Sequence, residues 1–343
     1  MGNYNSTSQN QLSDKFRRGL SDLRISVTDR CNFRCTYCMP KEVYGHNFKY
    51  LDKNQLLSFD EIASLAKIFK RLGTKKIRIT GGEPLLRKEI EVLIEKIAKI
   101  GFEDITLTTN GALLERKAHI LKKAGLNRVT VSLDSLDDTV FKGMNDVNFP
   151  VNKVLRGIDA AHKVGLDPVK INMVVKRGVN EKAVVEMCRY FKGSPHIVRF
   201  IEFMDVGSTN GWKLDHVVST KELVANINKT FPIVPVDPNY SGEVANRWHY
   251  VDGDGEIGFI SSVSQAFCEG CTRARISADG KLYTCLFASK GYDLKALLRS
   301  NVTQEQITGE IKQVWSNRKD RYSEIRTLNT ALKPKIEMSY IGG

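Results

Sequence analysis

The sequence predicts an α/β protein, a partial (β/α)6 TIM-type barrel with an irregular C-terminal region that covers the barrel mouth. Three observations support this fold class. An amphipathic helical stretch, a glycine, a short β-rich run and a polar loop recur as a unit between residues 20 and 205. The β-rich runs are far enough apart for a crossover helix between each pair, as parallel strands require. Residues capable of chemistry lie at or just after the strand ends, where barrel enzymes build their sites.

Six strands are predicted from short runs rich in β-branched residues, at 23–27, 76–80, 105–109, 128–132, 169–174 and 198–202. Five glycines stand before the later strands, where a helix C-terminus favours a left-handed residue: Gly73, Gly101, Gly125, Gly165 and Gly193. A doubly wound sheet remains the alternative, because strand order cannot be read from one sequence.

The pattern changes after Phe231. Three prolines at 232, 235 and 238 interrupt helical periodicity, and 252–255 and 278–280 have the composition of hairpin turns. Helical stretches return near 293–300 and 303–318. We therefore expect an N-terminal arm at 1–19, the barrel at 20–230 and a C-terminal region at 231–343.

Composition restricts the class of protein. With 343 residues, 41% hydrophobic and 27% charged, the chain has the balance of a soluble globular protein. Its apolar runs are shorter than the ~20 residues of a membrane span, and residues 1–19 lack the apolar core of a secretory signal. We expect a cytoplasmic protein that does not associate with a membrane.

The formal charge of +13 indicates an anionic partner. Lysine and arginine are spread along the chain without a block of five or six, which argues against a basic tail that binds a nucleic-acid backbone. A phosphorylated small molecule in a buried site is the favoured ligand, and we expect no nucleic-acid partner.

Six of the seven cysteines form two triplets. The first, Cys31, Cys35 and Cys38, lies on the loop after the first strand. Thiolates suit iron–sulfur clusters or zinc, and structural zinc sites take four ligands from paired short spacings. Three ligands would leave one iron of a [4Fe–4S] cube open for substrate or cofactor. A zinc site remains the alternative.

The second triplet, Cys268, Cys271 and Cys285, connects a loop with the far strand of a predicted hairpin. Arg273 and Arg275 stand at alternate positions of the near strand, so they share one face and would present cations to an open metal site. Cys188 lies in a helical stretch and is interpreted as a core residue.

These motifs resemble those of radical S-adenosylmethionine (SAM) enzymes, and within them the GTP 3′,8-cyclase family of molybdenum-cofactor biosynthesis. The first triplet with Tyr37, and the segment Gly81-Gly82-Glu83-Pro84, resemble the two motifs shared by radical SAM enzymes. The segment 268–275 and the final pair Gly342-Gly343 resemble the cyclase family. The resemblance runs from about Asp22 to the last residue, and residues 1–19 match no motif.

The resemblance implies the cofactors and the reaction. Two [4Fe–4S] clusters and SAM would convert GTP into (8S)-3′,8-cyclo-7,8-dihydroguanosine 5′-triphosphate, a lyase reaction that begins molybdopterin synthesis. A 5′-deoxyadenosyl radical would take the ribose C3′ hydrogen, the carbon radical would close on guanine C8, and the second cluster would hold the base. Implied partners are a reducing electron donor, cyclic pyranopterin monophosphate synthase as the next enzyme, and a second copy of the chain in a homodimer.

The resemblance also implies the site residues. The two triplets are the metal ligands. The cofactor contacts are Tyr37, Gly82, Ser132 and Met204. The substrate contacts are Arg24, Arg78, Thr109, Lys170, Arg273, Ala274 and Arg275, of which Arg24, Arg273 and Arg275 are assigned catalytic roles. Independently of the resemblance, Arg24, Arg78 and Lys170 lie inside short strands, where a cation is out of place unless it faces a polar lumen.

Other interpretations remain at this stage. One is a radical enzyme with an auxiliary cluster that modifies a peptide. The other is a zinc-binding nucleic-acid module without enzymatic activity, whose binding would depend steeply on salt. The basic strand residues are alternatively a solvated face, and the final glycine pair is alternatively a frayed terminus.

Overall fold

One sheet of twelve strands organises the residues that the computed structural model describes, which are 12–327 and 333–342. In chain order the strands are β1 Asp22–Ser26, β2 Lys76–Thr80, β3 Asp104–Thr109, β4 Arg128–Ser132, β5 Lys170–Val175, β6 Ile197–Glu202, β7 Ile233–Val236, β8 Asn246–Tyr250, β9 Glu256–Ile260, β10 Arg273–Ile276, β11 Lys281–Tyr283 and β12 Tyr292–Asp293. Their spatial order is β12-β11-β10-β1-β2-β3-β4-β5-β6-β9-β8-β7.

The middle of this sheet is an arc of parallel strands. β1 to β6 are neighbours in sequence order, and β10 and β9 extend the arc in parallel beyond β1 and β6. In the part of the chain that the structure describes, the two edge strands β12 and β7 do not pair with each other, so the barrel is open. The predicted α/β partial barrel is confirmed, and β1 to β6 match the six predicted strands within one residue at each boundary.

Helices connect the parallel strands. The α-helices of the described ranges are α1 Phe59–Arg71, α2 Ile90–Ala98, α3 Leu114–Lys123, α4 Asp138–Asn145, α5 Val151–Lys163, α6 Val184–Phe191, α7 Thr220–Asn228, α8 Leu294–Leu298, α9 Gln304–Ser316 and the short C-terminal helix Met338–Ile341. Short 3₁₀ helices lie at Pro84–Leu86, Glu181–Ala183 and Leu214–His216. The five glycines that were predicted at helix C-termini all have positive φ, between 75° at Gly193 and 101° at Gly125. The prediction for the helix ends is therefore confirmed.

Alternation along the strands makes the outer face apolar and the inner face polar. On β1, Leu23 and Ile25 are fully buried in the hydrophobic core, whereas Asp22 and Arg24 face the other way. On β2, Ile77 and Ile79 belong to the same core. Pairing then aligns the charged positions, because Arg24 lies opposite Arg78 on one side and Arg275 on the other. The lumen is consequently lined by charged groups.

The two cysteine triplets lie at opposite ends of this lumen. Cys31, Cys35 and Cys38 follow β1, at the carboxyl end of the parallel strands. Cys268 and Cys271 precede β10, and Cys285 follows β11, which runs antiparallel to β10. The second triplet therefore lies at the amino end. Both predicted hairpins of the C-terminal region are confirmed, as the antiparallel pairs β8–β9 and β10–β11.

Cys188 is fully buried on α6, as predicted for a core residue. No helix within the described ranges is long and apolar enough to cross a membrane. The boundary predicted near residue 230 stays a prediction.

Candidate active site

A cavity of about 310 Å³ occupies the lumen, and all six cysteines of the two triplets line it. Most of the other predicted site residues also line it: Arg24, Tyr37, Arg78, Gly82, Thr109, Ser132, Met204, Arg273 and Arg275. Among the described residues, no three His, Cys, Asp or Glu side chains converge on a point that could hold a single metal ion.

The glycines of the Gly81-Gly82-Glu83 segment hold the loop that leads into the first triplet. The amide of Gly82 donates to the carbonyl of Thr28 at 2.8 Å, and the amide of Glu83 donates to the carbonyl of Arg30 at 2.8 Å. A Cβ atom on Gly81 would lie 2.6 Å from the Thr28 carbonyl oxygen, and one on Gly82 would overlap that of Arg30. Only glycine permits this close backbone approach, so the segment fixes the position of the loop immediately before Cys31.

Glu83 connects this segment to the end of β3. Its carboxylate is fully buried and accepts hydrogen bonds from the Thr109 hydroxyl at 2.8 Å, the Asn110 amide at 2.7 Å and the Leu85 amide at 3.0 Å. Burial raises the pKa of Glu83 to about 7, against these hydrogen bonds. The Thr109 hydroxyl is therefore held by Glu83 in this structure.

Tyr37 is held at the same end of the cavity. Its hydroxyl donates to Asp134 Oδ2 at 2.7 Å, and Asp134 Oδ1 accepts from the amide of Val174 at 3.0 Å. Burial raises the pKa of Asp134 to about 6. Ser132 ends β4 two residues before Asp134 and lines the cavity together with Tyr37 and Asp134.

The first triplet fits the ligands of a metal cluster. The amide of Phe33 points at Cys31 Sγ at 3.4 Å, and Asn110 Nδ2 lies 3.8 Å from the same sulfur. Burial raises the pKa of Cys31 to about 12 and also raises the pKa values of Cys35 and Cys38. Metal coordination requires thiolates. These three desolvated thiols at one end of the cavity would therefore lose their protons when they bind a metal cluster.

The second triplet is surrounded by cations. The amide of Phe287 points at Cys285 Sγ at 3.5 Å, and Arg318 Nη2 donates to Cys271 Sγ at 3.0 Å. Burial raises the pKa of Cys271, but Arg273 and Arg318 outweigh it and lower the value to about 6. This thiol is prepared to act as a thiolate ligand.

Buried arginines occupy the middle of the lumen. Burial, with repulsion from Arg275 and Arg78, lowers the pKa of Arg24 well below its ordinary value. Arg78 donates to the hydroxyls of Thr108 at 3.0 Å and Thr130 at 3.1 Å, neither of which neutralises its charge. Arg199 is similarly affected, with its pKa lowered to about 10 by burial and by Arg78. An anionic ligand would relieve this repulsion.

Two predicted substrate residues do not line the cavity. Lys170 begins β5 and lies among the lumen cations, since Arg199, Arg128, Lys76 and Arg78 all affect its charge. Ala274 lies on the opposite face of β10, with its side chain in the hydrophobic core. Ala274 can therefore reach a ligand only through its backbone.

The C-terminal segment, residues 337–342, borders the cavity near the first triplet, where Glu337 acts electrostatically on Cys38. Met338 and Ser339 line the cavity, and Arg275 donates to the carbonyl oxygen of Gly342. Glu337 accepts from the amide of Ser208 at 2.9 Å. Gly342, the first of the final glycine pair, therefore contacts a cavity-lining arginine, and Gly343 lies outside the described residues.

Several cavity residues were not predicted from the sequence. Lys76 stands two positions before Arg78 on β2, so the same alternation could have indicated it. Asn172 lines the cavity from β5 as an uncharged polar group. Arg18 and Arg318 also line it, and nothing in the local sequence indicates that they meet.

A parallel barrel with a Cys-x3-Cys-x2-Cys loop after its first strand defines a radical SAM protein. The family profile "Radical SAM superfamily" matches residues 25–191, and "Molybdenum Cofactor Synthesis C" matches residues 196–324. The chain is 51% identical over 338 residues to GTP 3′,8-cyclase of Staphylococcus aureus strain JH9, covering 97% of this chain and 99% of that protein, and equally similar to that of strain Newman. The chain belongs to the GTP 3′,8-cyclase family.

The fold is also similar to solved structures. Streptococcus suis SuiB bound to precursor peptide SuiA superimposes with a TM-score of 0.62 at 16% identity, over 88% of this chain and 66% of that one. The SuiB structure bound to S-adenosylmethionine gives 0.61 at 16% identity, over 88% and 67%. At this identity the likeness supports the fold alone.

Proposed function

We propose that the protein is a lyase that converts GTP into (8S)-3′,8-cyclo-7,8-dihydroguanosine 5′-triphosphate, the first step of molybdenum-cofactor biosynthesis. The observation that carries the proposal is a single cavity with a cysteine triplet at each end and buried arginines between them. The similarity over nearly the whole chain to GTP 3′,8-cyclase supports this choice of substrate.

The two cysteine triplets give each end of the cavity its own proposed role. Cys31, Cys35 and Cys38 would hold one [4Fe–4S] cluster with SAM, beside Tyr37, Gly82, Ser132 and Met204. Cys268, Cys271 and Cys285 would hold a second [4Fe–4S] cluster. When bound, the first cluster and SAM supply the one-electron chemistry that removes a hydrogen atom from the substrate.

The chain itself binds and orients the substrate. Arg24 lies opposite Arg275 across β1 and β10, and Arg273 shares the inner face of β10 with Arg275, so these three arginines would hold the nucleotide between the two ends. Arg78 and Lys170 supply positive charge for the triphosphate, because guanidinium and ammonium groups bind phosphate through charge-assisted hydrogen bonds. The C-terminal segment excludes water from the first-triplet end, which protects a reactive substrate from side reactions.

Iron analysis of protein prepared without oxygen tests the two clusters. The intact chain should bind about eight irons, and replacing either triplet with alanine should leave about four, because a cube holds four. Cys188→Ala is the matched control, since it removes a buried cysteine outside both triplets and should retain about eight. Zinc in place of iron, or no loss of iron in the triple variants, would contradict the assignment.

Product analysis tests the reaction. With dithionite, SAM and GTP, the intact chain should form 5′-deoxyadenosine and the cyclised nucleotide. The variant lacking the second triplet should still cleave some SAM but make no cyclised nucleotide. Normal cyclisation by that variant would exclude the role given to the second triplet.

Other assignments rest on the sequence pattern or on the family resemblance. These are a cytoplasmic homodimer, a reducing electron donor, transfer of product to cyclic pyranopterin monophosphate synthase, and a boundary near residue 230 between the barrel and the C-terminal region. Light scattering of the purified protein tests the dimer, which a single mass near 38.6 kDa would exclude.

A further inference from the structure

A buried charged network lies beside the second triplet. It consists of Asp14, Arg18 and Arg318, whose side chains are 0%, 3% and 1% exposed. Asp14 and Arg18 belong to the part of the N-terminal arm that matches no sequence motif. The carboxylate of Asp14 lies 2.6 Å from Arg18 Nε and 3.4 Å from Arg318 Nη1, so one anion is shared by two cations.

Both arginines bind the turn that carries the first two cysteines of the triplet. Arg318 Nη1 donates to the carbonyl of Cys271 at 2.6 Å, and its Nη2 donates to Cys271 Sγ at 3.0 Å. Arg18 Nη1 donates to the carbonyl of Cys268 at 2.8 Å, and within the described ranges the Arg18 side chain makes no hydrogen bond to a sulfur. Arg318 alone of the pair therefore touches a proposed ligand atom.

Other contacts fix Arg318 in this position. The amide of Lys15 donates to the Arg318 carbonyl at 3.2 Å, and Trp315 Nε1 donates to the Arg18 carbonyl at 3.2 Å. The Arg318 guanidinium lies 4.6 Å from the centre of the Trp315 ring, and its Nε is 3.3 Å from Asp320 Oδ2. Held on several sides, the guanidinium cannot turn away from the sulfur without breaking the network.

We propose that Arg318 is a positioning residue that orients Cys271 and raises the reduction potential of the second cluster, to an extent set by Asp14. The inference rests on the second cluster of the proposed function. Reduction adds negative charge to a cluster, and a hydrogen bond or positive charge at a ligand sulfur stabilises that charge. Asp14 withdraws part of this stabilisation, because its carboxylate offsets the guanidinium charge.

Redox titration of the full chain carrying both clusters, followed by electron paramagnetic resonance, tests the proposal. In Arg318→Gln the ratio of reduced to oxidised second cluster at a fixed potential should fall about tenfold, equal to about 59 mV for a one-electron couple. Asp14→Asn should shift the potential in the opposite direction. Arg18→Gln is the matched control and should give a smaller shift than Arg318→Gln. The same titration after replacing the first triplet with alanine assigns the signal.

The outcomes separate this inference from the proposed function. An intact chain with about four irons would refute the second cluster itself. With both clusters loaded, an unchanged reduction potential in Arg318→Gln would overturn the inference. Shifts of the same sign in Arg318→Gln and Asp14→Asn would also overturn it, because they would indicate that both changes loosen the turn that carries Cys268 and Cys271. If Arg318→Gln fails to fold or load the cluster, Asp14→Asn decides, and anything other than a positive shift counts against the inference.

Discussion

Lys170 should couple GTP binding to proton uptake. It begins β5 on the side of the cavity-lining Asn172, and burial with the neighbouring cations lowers its pKa to about 6. The free protein therefore holds Lys170 as a neutral amine at pH 7.5. A triphosphate brings negative charge to these cations and favours the ammonium, so GTP and a proton should bind together.

The magnitude follows from the two pKa values. A lysine with a pKa of about 6 is roughly 3% protonated at pH 7.5, and one restored towards the usual value near 10.4 is fully protonated, so uptake approaches one proton. Because the bound pKa is the higher one, the contribution to affinity is complete below pH ~6 and falls about tenfold per pH unit above it. Lys76, with a pKa lowered to about 8 by burial and Arg78, stays mostly protonated at pH 7.5 and adds only about 0.2 proton.

Calorimetry in buffers of different ionisation enthalpy measures this uptake directly. Lys170→Arg is the matched control, because a guanidinium keeps the charge but does not titrate, and it should lose close to one proton of uptake relative to the intact chain. Protonation of GTP itself cancels in that comparison. Equal uptake by the two proteins would refute the reasoning and place the triphosphate away from Lys170.

Three further changes test other parts of the site. Gly82→Ala places a Cβ against the Arg30 carbonyl, so the loop into the first triplet must shift, and iron analysis should show loss of about four irons with the second cluster retained. Arg273→Ala and Arg275→Ala should lower the cyclisation rate more than GTP affinity, since misplacement by ~1 Å costs ~100-fold; unchanged turnover would contradict this role. Asp205→Asn removes a buried carboxylate that pairs with Arg326 at 2.9 Å and with Lys335 at 3.1 Å. Thermal unfolding should show a loss of about 3–5 kcal/mol in the free energy of unfolding, whereas an unchanged midpoint would show that these ion pairs are unimportant.

Local periodicity was sufficient to predict the six central strands. Residues such as Ile77 and Ile79 alternate with Lys76 and Arg78, and that alternation indicates both a strand and a charged inner face. The same signal did not predict that β9 and β10 flank this arc in parallel. Each belongs to a hairpin in the sequence, and its second, parallel neighbour is far away in the chain.

The site was predictable where its residues cluster in sequence and not where they meet through the fold. Three cysteines in eight residues identify a ligand set, and the glycines of 81–83 lie in one short segment. Asp14 and Arg318 come together only because the N-terminal arm packs against the end of α9, and neither residue type is unusual in its local sequence. Ala274 shows the opposite limitation. The motif match assigned it as a substrate contact, although its side chain faces the hydrophobic core.

The charged inner face also explains why this barrel holds a cavity. Closed barrels of this type fill their interior with layers of branched apolar side chains, which pack as a core. Here the corresponding positions of β1, β2 and β10 carry Arg24, Arg78 and Arg275, and burying these cations without an anion costs free energy. A polyanion in the lumen would offset this cost, and the proposed function places it between the two triplets. The proposed binding of a triphosphate is thus a consequence of strand alternation, whereas the two triplets are separated because their loops lie at opposite ends of the parallel strands.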